Sequence, residues 1–172
     1  MGDVILRRAA WFAFALGIGH ALVSAYWGSG GSWLLDTLGG TLEDAARRGG
    51  VGVAVALWGV AAVKVIAAVL PLVATRPGIR HRRKLRLLTW IEACVLTGYG
   101  LALTCVGLLV QVGIVSTTDA DHKALAWHAF LWDPWFLAWG VLCIVALRSS
   151  RRSNPVRRPA LTRNPDVTVT AR

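Results

Sequence analysis

Five ionisable side chains interrupt long apolar stretches of this sequence: His20, Lys64, Glu92, His128 and Asp133. Holding such a group away from water is costly, so each is a candidate site by default. His20 shares a helical stripe with Ala13, Gly17, Ser24 and Trp27 at three- and four-residue spacing, which turns the imidazole toward neighbouring helices. There it can act as a hydrogen-bonding strut, a proton relay or a ligand contact. Haem or metal ligation would need a second imidazole, for which His128 is the candidate. Lys64 and Glu92 are expected to form an intramembrane ion pair, the lysine stem bending toward the cytoplasm to meet the carboxylate. The alternatives are snorkelling without a partner, or a coupled proton or cation site.

Asp133-Pro134 is the most informative dipeptide. Aspartate is a good helix N-cap and proline a favoured first helical residue. The preferred expectation is therefore a break, with a new helix at Pro134 and a separate one over 121–132. The competing picture is one helix kinked at Pro134 with the Phe130 carbonyl freed. Asp133 would cap, or accept a proton in an outer cavity near His20. Of nine tryptophans, Trp27, Trp33, Trp127, Trp132 and Trp135 gather toward one face. The plain reading is an interfacial aromatic belt. The alternative is an outer pocket built from His20, Ser24, Tyr26, Trp27, His128, Trp132, Asp133 and Trp135. Cys94, Cys105 and Cys143 sit in apolar runs without a Cys-x-x-Cys pair and read as inert small hydrophobes. No metalloprotease, nucleophile-elbow, Walker or dinucleotide motif is present. No catalytic residue, metal site or cofactor is assigned.

The elements that must position these residues follow from composition. The chain has 172 residues, 55% hydrophobic and only 16% charged, with a mean hydropathy of +0.54. Disorder and a disulfide-built miniprotein are both excluded. Four apolar runs, at about 9–27, 51–74, 87–115 and 124–147, each reach the roughly 20 residues a helix needs to cross hydrocarbon. They lack the short alternating segments of a barrel. The net charge of +10 is concentrated in the 75–86 loop and the tail from Arg148, while the other two loops are slightly acidic. Basic loops stay cytoplasmic, so both termini are expected inside. A cleaved signal peptide ending near Val23-Ser24-Ala25 is the competing reading of the first run.

Between the first two runs, Thr41-Leu42-Glu43-Asp44 has capping-box spacing, which predicts short interfacial helices with Gly28–Gly31 and Gly39-Gly40 as joints. The 148–172 tail, rich in Arg, Pro, Ser and Thr, is expected to be disordered and drawn to anionic headgroups. Neither basic segment has the interleaved aromatics of a nucleic-acid surface.

Several phrases occur together: Gly19-His20-Ala21 into Ser24-Ala25-Tyr26-Trp27, Gly30-Gly31, Leu34 to Gly40, Leu57-Trp58-Gly59 to Lys64, and Trp127 to Phe136. Over roughly residues 9–147 the chain resembles small bacterial multi-pass membrane proteins of the domain-of-unknown-function family numbered 3995. The resemblance implies no activity and no catalytic residue. Arg 16 against Lys 3, with abundant Ala, Gly and Val, also fits a GC-rich bacterial genome.

The expectation is an all-α, four-span transmembrane bundle (1–147) with short outer-face helices in a bacterial cell membrane. The preferred role is a structural or accessory protein that binds lipids, other membrane proteins or its own copies. A small proton-coupled carrier or ligand-binding protein is the alternative, and a haem-binding or other membrane enzyme the third.

Overall fold

A computed structural model describes residues 2–76, 78–115 and 122–152. Within them every regular element is helical: α1 (Gly2–Gly28), a 3₁₀ turn at Leu35–Thr37, α2 (Gly40–Arg48), α3 (Val51–Thr75), α4 (Arg82–Gln111), α5 (His122–Trp127), a π turn at His128–Trp132 and α6 (Asp133–Arg152). Four helical stretches are long and apolar enough to cross a membrane: Arg8–Gly28, Val51–Thr75, Arg82–Gln111 and His122–Arg148. The physical reason is the one read from composition. Runs of Leu, Val and Ala satisfy their backbone within the helix and leave apolar side chains on every face.

The bundle is held by small residues. α1 packs chiefly on α3 and α6, and α4 chiefly on α6. Ala13, Ala68, Ala93, Trp139 and Cys143 form the central buried cluster. Trp139 is 1% exposed because Gly17 opposite has no side chain; a Cβ there would come within 2.6 Å of both Ala68 Cβ and the Trp139 ring. On the α4–α6 seam, a Cβ at Gly100 would strike the Leu137 amide nitrogen and approach the Asp133 carbonyl at 2.8 Å. Arg86 Nη2 donates to the Leu147 carbonyl at 2.9 Å, tying the start of α4 to α6 at the end of the bundle where α1 begins.

The opposite end is closed by the 28–50 connection. Leu34 adopts φ 58°, a left-handed conformation costing roughly 1–2 kcal/mol in a non-glycine residue. It opens the 3₁₀ turn, and its carbonyl accepts from Thr37 Oγ1 at 2.6 Å. α2 forms where a short helix was expected, but not by a capping box. Its N-cap is Gly39 at φ 67° without a side-chain bond, and Glu43 pairs with Arg47 at 2.7 Å. Glycine can enter the helix from a left-handed backbone, which places Thr41 inside α2 and leaves Glu43 free for an i,i+4 partner.

The break expected at Asp133-Pro134 is absent. Trp127 and Asp133 both have right-handed helical geometry, and the Asp133 N–H donates to the His128 carbonyl five residues back. Proline at 134 can neither donate nor tolerate a close carbonyl at Phe130. The wider π turn supplies the room and keeps the helix continuous. α6 also continues to Arg152, past the expected end at Leu147. The remainder of the basic tail, and Asp119 and Asp121 of the third loop, lie outside the described residues.

Candidate functional site

The site is assembled from α1, α3 and the π turn under the lid formed by α2. His20 and Ser24 lie one turn apart on the buried stripe of α1, 5% and 2% exposed. Ser24 Oγ donates back to the His20 carbonyl at 3.3 Å. Lys64 on α3 reaches both residues, donating from Nζ to His20 Nδ1 at 3.0 Å and to Ser24 Oγ at 2.8 Å. Because an ammonium only donates, His20 Nδ1 must accept, which fixes the Nε2–H tautomer. That Nε2 is buried without a hydrogen-bond partner.

Aromatic rings surround this triad. The His20 ring centroid lies 4.4 Å from Phe136, 5.5 Å from Trp135 and 5.6 Å from Trp132, and Lys64 Nζ stands 6.0 Å from the Phe136 centroid. The indoles are fastened individually. Trp132 Nε1 donates to Thr37 Oγ1 at 3.0 Å, Trp135 Nε1 to the Leu16 carbonyl at 3.1 Å, and Trp27 Nε1 to the Trp33 carbonyl at 2.9 Å. Each bond satisfies a polar tip whose ring is otherwise apolar.

These groups line a cavity of about 450 Å³, within the 300–1,000 Å³ range usual for small-molecule sites. His20, Ser24 and Lys64 provide its polar groups on α1 and α3, with His128 on the π turn. Trp27, Trp132, Phe136 and aliphatic residues of α2 and α3 make the walls. His128 is turned toward protein acceptors: Nδ1 faces Asp133 Oδ1 and Nε2 the Leu38 carbonyl, each at 3.4 Å.

The expected outer-pocket set is thus divided. His20, Ser24, Trp27, His128 and Trp132 line the cavity. Asp133 is buried, engages His128 and is not among the lining residues. Trp135 supports the His20 ring, and Tyr26 is 45% exposed, its hydroxyl accepting from the Trp33 amide at 3.4 Å. An aromatic belt does not describe Trp27 and Trp132, which are buried against Leu35, though Trp11, Trp33 and Trp58 are exposed. Of the three thiols, Cys94 and Cys105 face outward on α4 and Cys143 is buried.

The Lys64–Glu92 pair does not form. Lys64 is engaged by His20 and Ser24, while both Glu92 carboxylate oxygens are buried without a hydrogen-bond partner. The reason is helical geometry. Side chains lean toward the N-terminus of their own helix. α3 and α4 run antiparallel, so Lys64 leans toward the α2 end and Glu92 toward the opposite one. That rule, applied to α1 and α3 together, was the available signal for the Lys64–His20 contact. The contributions of Thr37 and Leu38 had no such signal, because they depend on how the 28–50 connection folds back, and that of Phe136 depends on how α6 packs against α1 and α3.

The model of the family described as "Protein of unknown function (DUF3995)" matches residues 17–143. The chain belongs to this family. The matched span holds the whole of the cavity described above, from His20 to Phe136. No curated protein and no solved structure matches this DUF3995 chain. Among the described residues no group of three or more His, Cys, Asp or Glu side chains is disposed to hold a metal ion.

Proposed function

We propose that this DUF3995 chain is a multi-pass integral protein of a bacterial cytoplasmic membrane, with both termini on the cytoplasmic side, that binds a small amphipathic molecule in the cavity beneath α2. The observation that carries the reading is the cavity itself: apolar walls, a few convergent polar groups, and a size suited to one ligand. A scaffold that only filled space between helices would close such a volume with side chains. The carrier reading is less well supported, because its intended proton acceptor, Asp133, is engaged by His128 rather than presented to the cavity. Broad apolar faces on α3 and α4, with Val55, Ile66, Val95 and Leu101 more than half exposed, would meet lipid, a second copy or another membrane protein.

Native mass spectrometry of protein released from nanodiscs tests this reading. Wild type is expected to retain a small amphiphile that Ala56→Phe, which fills the cavity, does not. Equal retention by both would overturn it. Reporters fused to the C-terminus test the sidedness: cytoplasmic fluorescence is expected, and periplasmic phosphatase activity would reverse it.

A further inference from the structure

Lys64 is a cation with no ionic partner among the described residues. Its two hydrogen-bond partners, His20 Nδ1 and Ser24 Oγ, are both neutral. An ammonium carries three donors, so one N–H remains without an acceptor among the described residues. The described ion pairs are Glu43–Arg47, Asp36–Lys123 and Asp133–His128, and none includes Lys64. Glu92, the acid on the adjacent helix, has buried oxygens that meet no donor.

The cavity therefore has one unbalanced charge. His128 also lines it, but Asp133 lies behind that ring, so a charged His128 would still belong to a neutral pair. The remaining lining is serine, the neutral His20 tautomer, aromatic rings and aliphatic side chains. A cation in such surroundings is expensive unless an anion accompanies it. The partial compensation from the Phe136 ring at 6.0 Å is at the outer limit of a cation–π contact. Complementarity of charge then selects the ligand.

We infer that the cavity takes a single-chain amphiphile with a monoanionic head, of the fatty-acid carboxylate class, the head accepting from Lys64 and the chain lying along the wall formed by Trp27, Leu42, Leu57 and Val60. This rests on the proposed ligand-binding function and specifies its ligand. One positive charge and one free N–H match a head of one negative charge. About 450 Å³ suits one chain better than the two of a diacyl lipid.

The test uses full-length protein in nanodiscs of neutral lipid, photolabelled with diazirine-bearing palmitate or with the matching alcohol, the labelled peptides being mapped by mass spectrometry. The acid is expected to label α2 and the first half of α3 at least about tenfold more than the alcohol, a ratio corresponding to about 1.4 kcal/mol. Lys64→Met should bring the two probes to parity while alcohol labelling persists. Lys64→Arg should keep the preference, which separates loss of charge from loss of fold. Equal labelling of wild type by acid and alcohol, or a preference surviving in Lys64→Met, overturns the carboxylate assignment and leaves the binding function standing. Labelling of these segments by neither probe overturns both. Unlabelled phosphatidylglycerol competing as well as palmitate would overturn the single-chain assignment, and adding a quaternary-ammonium amphiphile should give no competition.

Discussion

α1 and α6 differ from α3 and α4 in what they face, although all four are apolar. In the most hydropathic window of the first and last spans 39% of the residues are buried, against 11% and 17% in the second and third. The inner helices meet through Ala9, Ala10, Ala13, Gly17, Cys143 and Ala146, and small residues let backbones approach. The outer helices direct bulky Val, Leu and Ile outward. Hydrophobicity alone therefore does not distinguish interior from rim; the seams where small residues face one another, with Trp139 fitted against Gly17, do. Every polar group lining the cavity but Lys64 is on α1 or the π turn leading into α6, so the inner pair also supplies most of the candidate chemistry.

The contrast is tested most severely at Trp139. Trp139→Ala should lower stability by about 3–5 kcal/mol, as for other buried large-to-small changes, measured by steric trapping in bicelles; a loss below about 1 kcal/mol would mean the inner seam is not tightly packed. Gly100→Ala should cost about 1–3 kcal/mol by overpacking, since its new methyl meets Leu137 and Asp133 backbone rather than a side chain that can rotate. Ile66→Ala on the outer row of α3 should cost less than about 1 kcal/mol in the same assay, because lipid fills the vacated space as well as protein does. A cost equal to that at Trp139 would place another protein surface against α3.

The smallest effect lies at the start of the fourth long helical stretch, where Lys123 of α5 donates to Asp36 of the 3₁₀ turn. The lysine hydrogen bond holds the Asp36 carboxyl below the usual aspartate range. A depressed folded-state value means that its contribution is present above the unfolded value and fades as pH falls through the folded one. Both side chains are exposed, so the consequence is local. Carboxyl NMR should show Asp36 titrating below an ordinary aspartate in wild type and returning to it in Lys123→Met. An unchanged Asp36 in that variant would show that the loop and α5 are not joined there.

The four long apolar helices were legible in the sequence, because a hydrocarbon-length apolar run allows few alternatives to a helix. The polar stripe of α1 was legible for the same kind of reason: His20, Ser24 and Trp27 obey helical spacing whatever they touch. Partner choice was less so. Depth and charge match Lys64 with Glu92, whereas the lean of the two side chains sends them apart. Asp133-Pro134 carried a genuine helix-start signal that lost to a π turn, since the continuous backbone keeps its hydrogen bonds where a break would strand them. The closing of the cavity by α2 and Thr37 depends on a left-handed Leu34, a conformation that leucine's own preferences argue against.

The π turn also acts as a phase adjuster. It holds one more residue than the α-helical path would need, and each residue corresponds to about 100° of rotation at 3.6 residues per turn. With that extra residue in place, His128 and Trp132 point into the same cavity as Phe136, and Trp132 stacks on Trp135 with 13° between the ring planes. Removing a single residue between His128 and Trp132 would leave hydropathy and span length almost unchanged. It would nevertheless swing everything before the deletion a quarter-turn or more relative to α6, carrying the cavity's wall away from its floor.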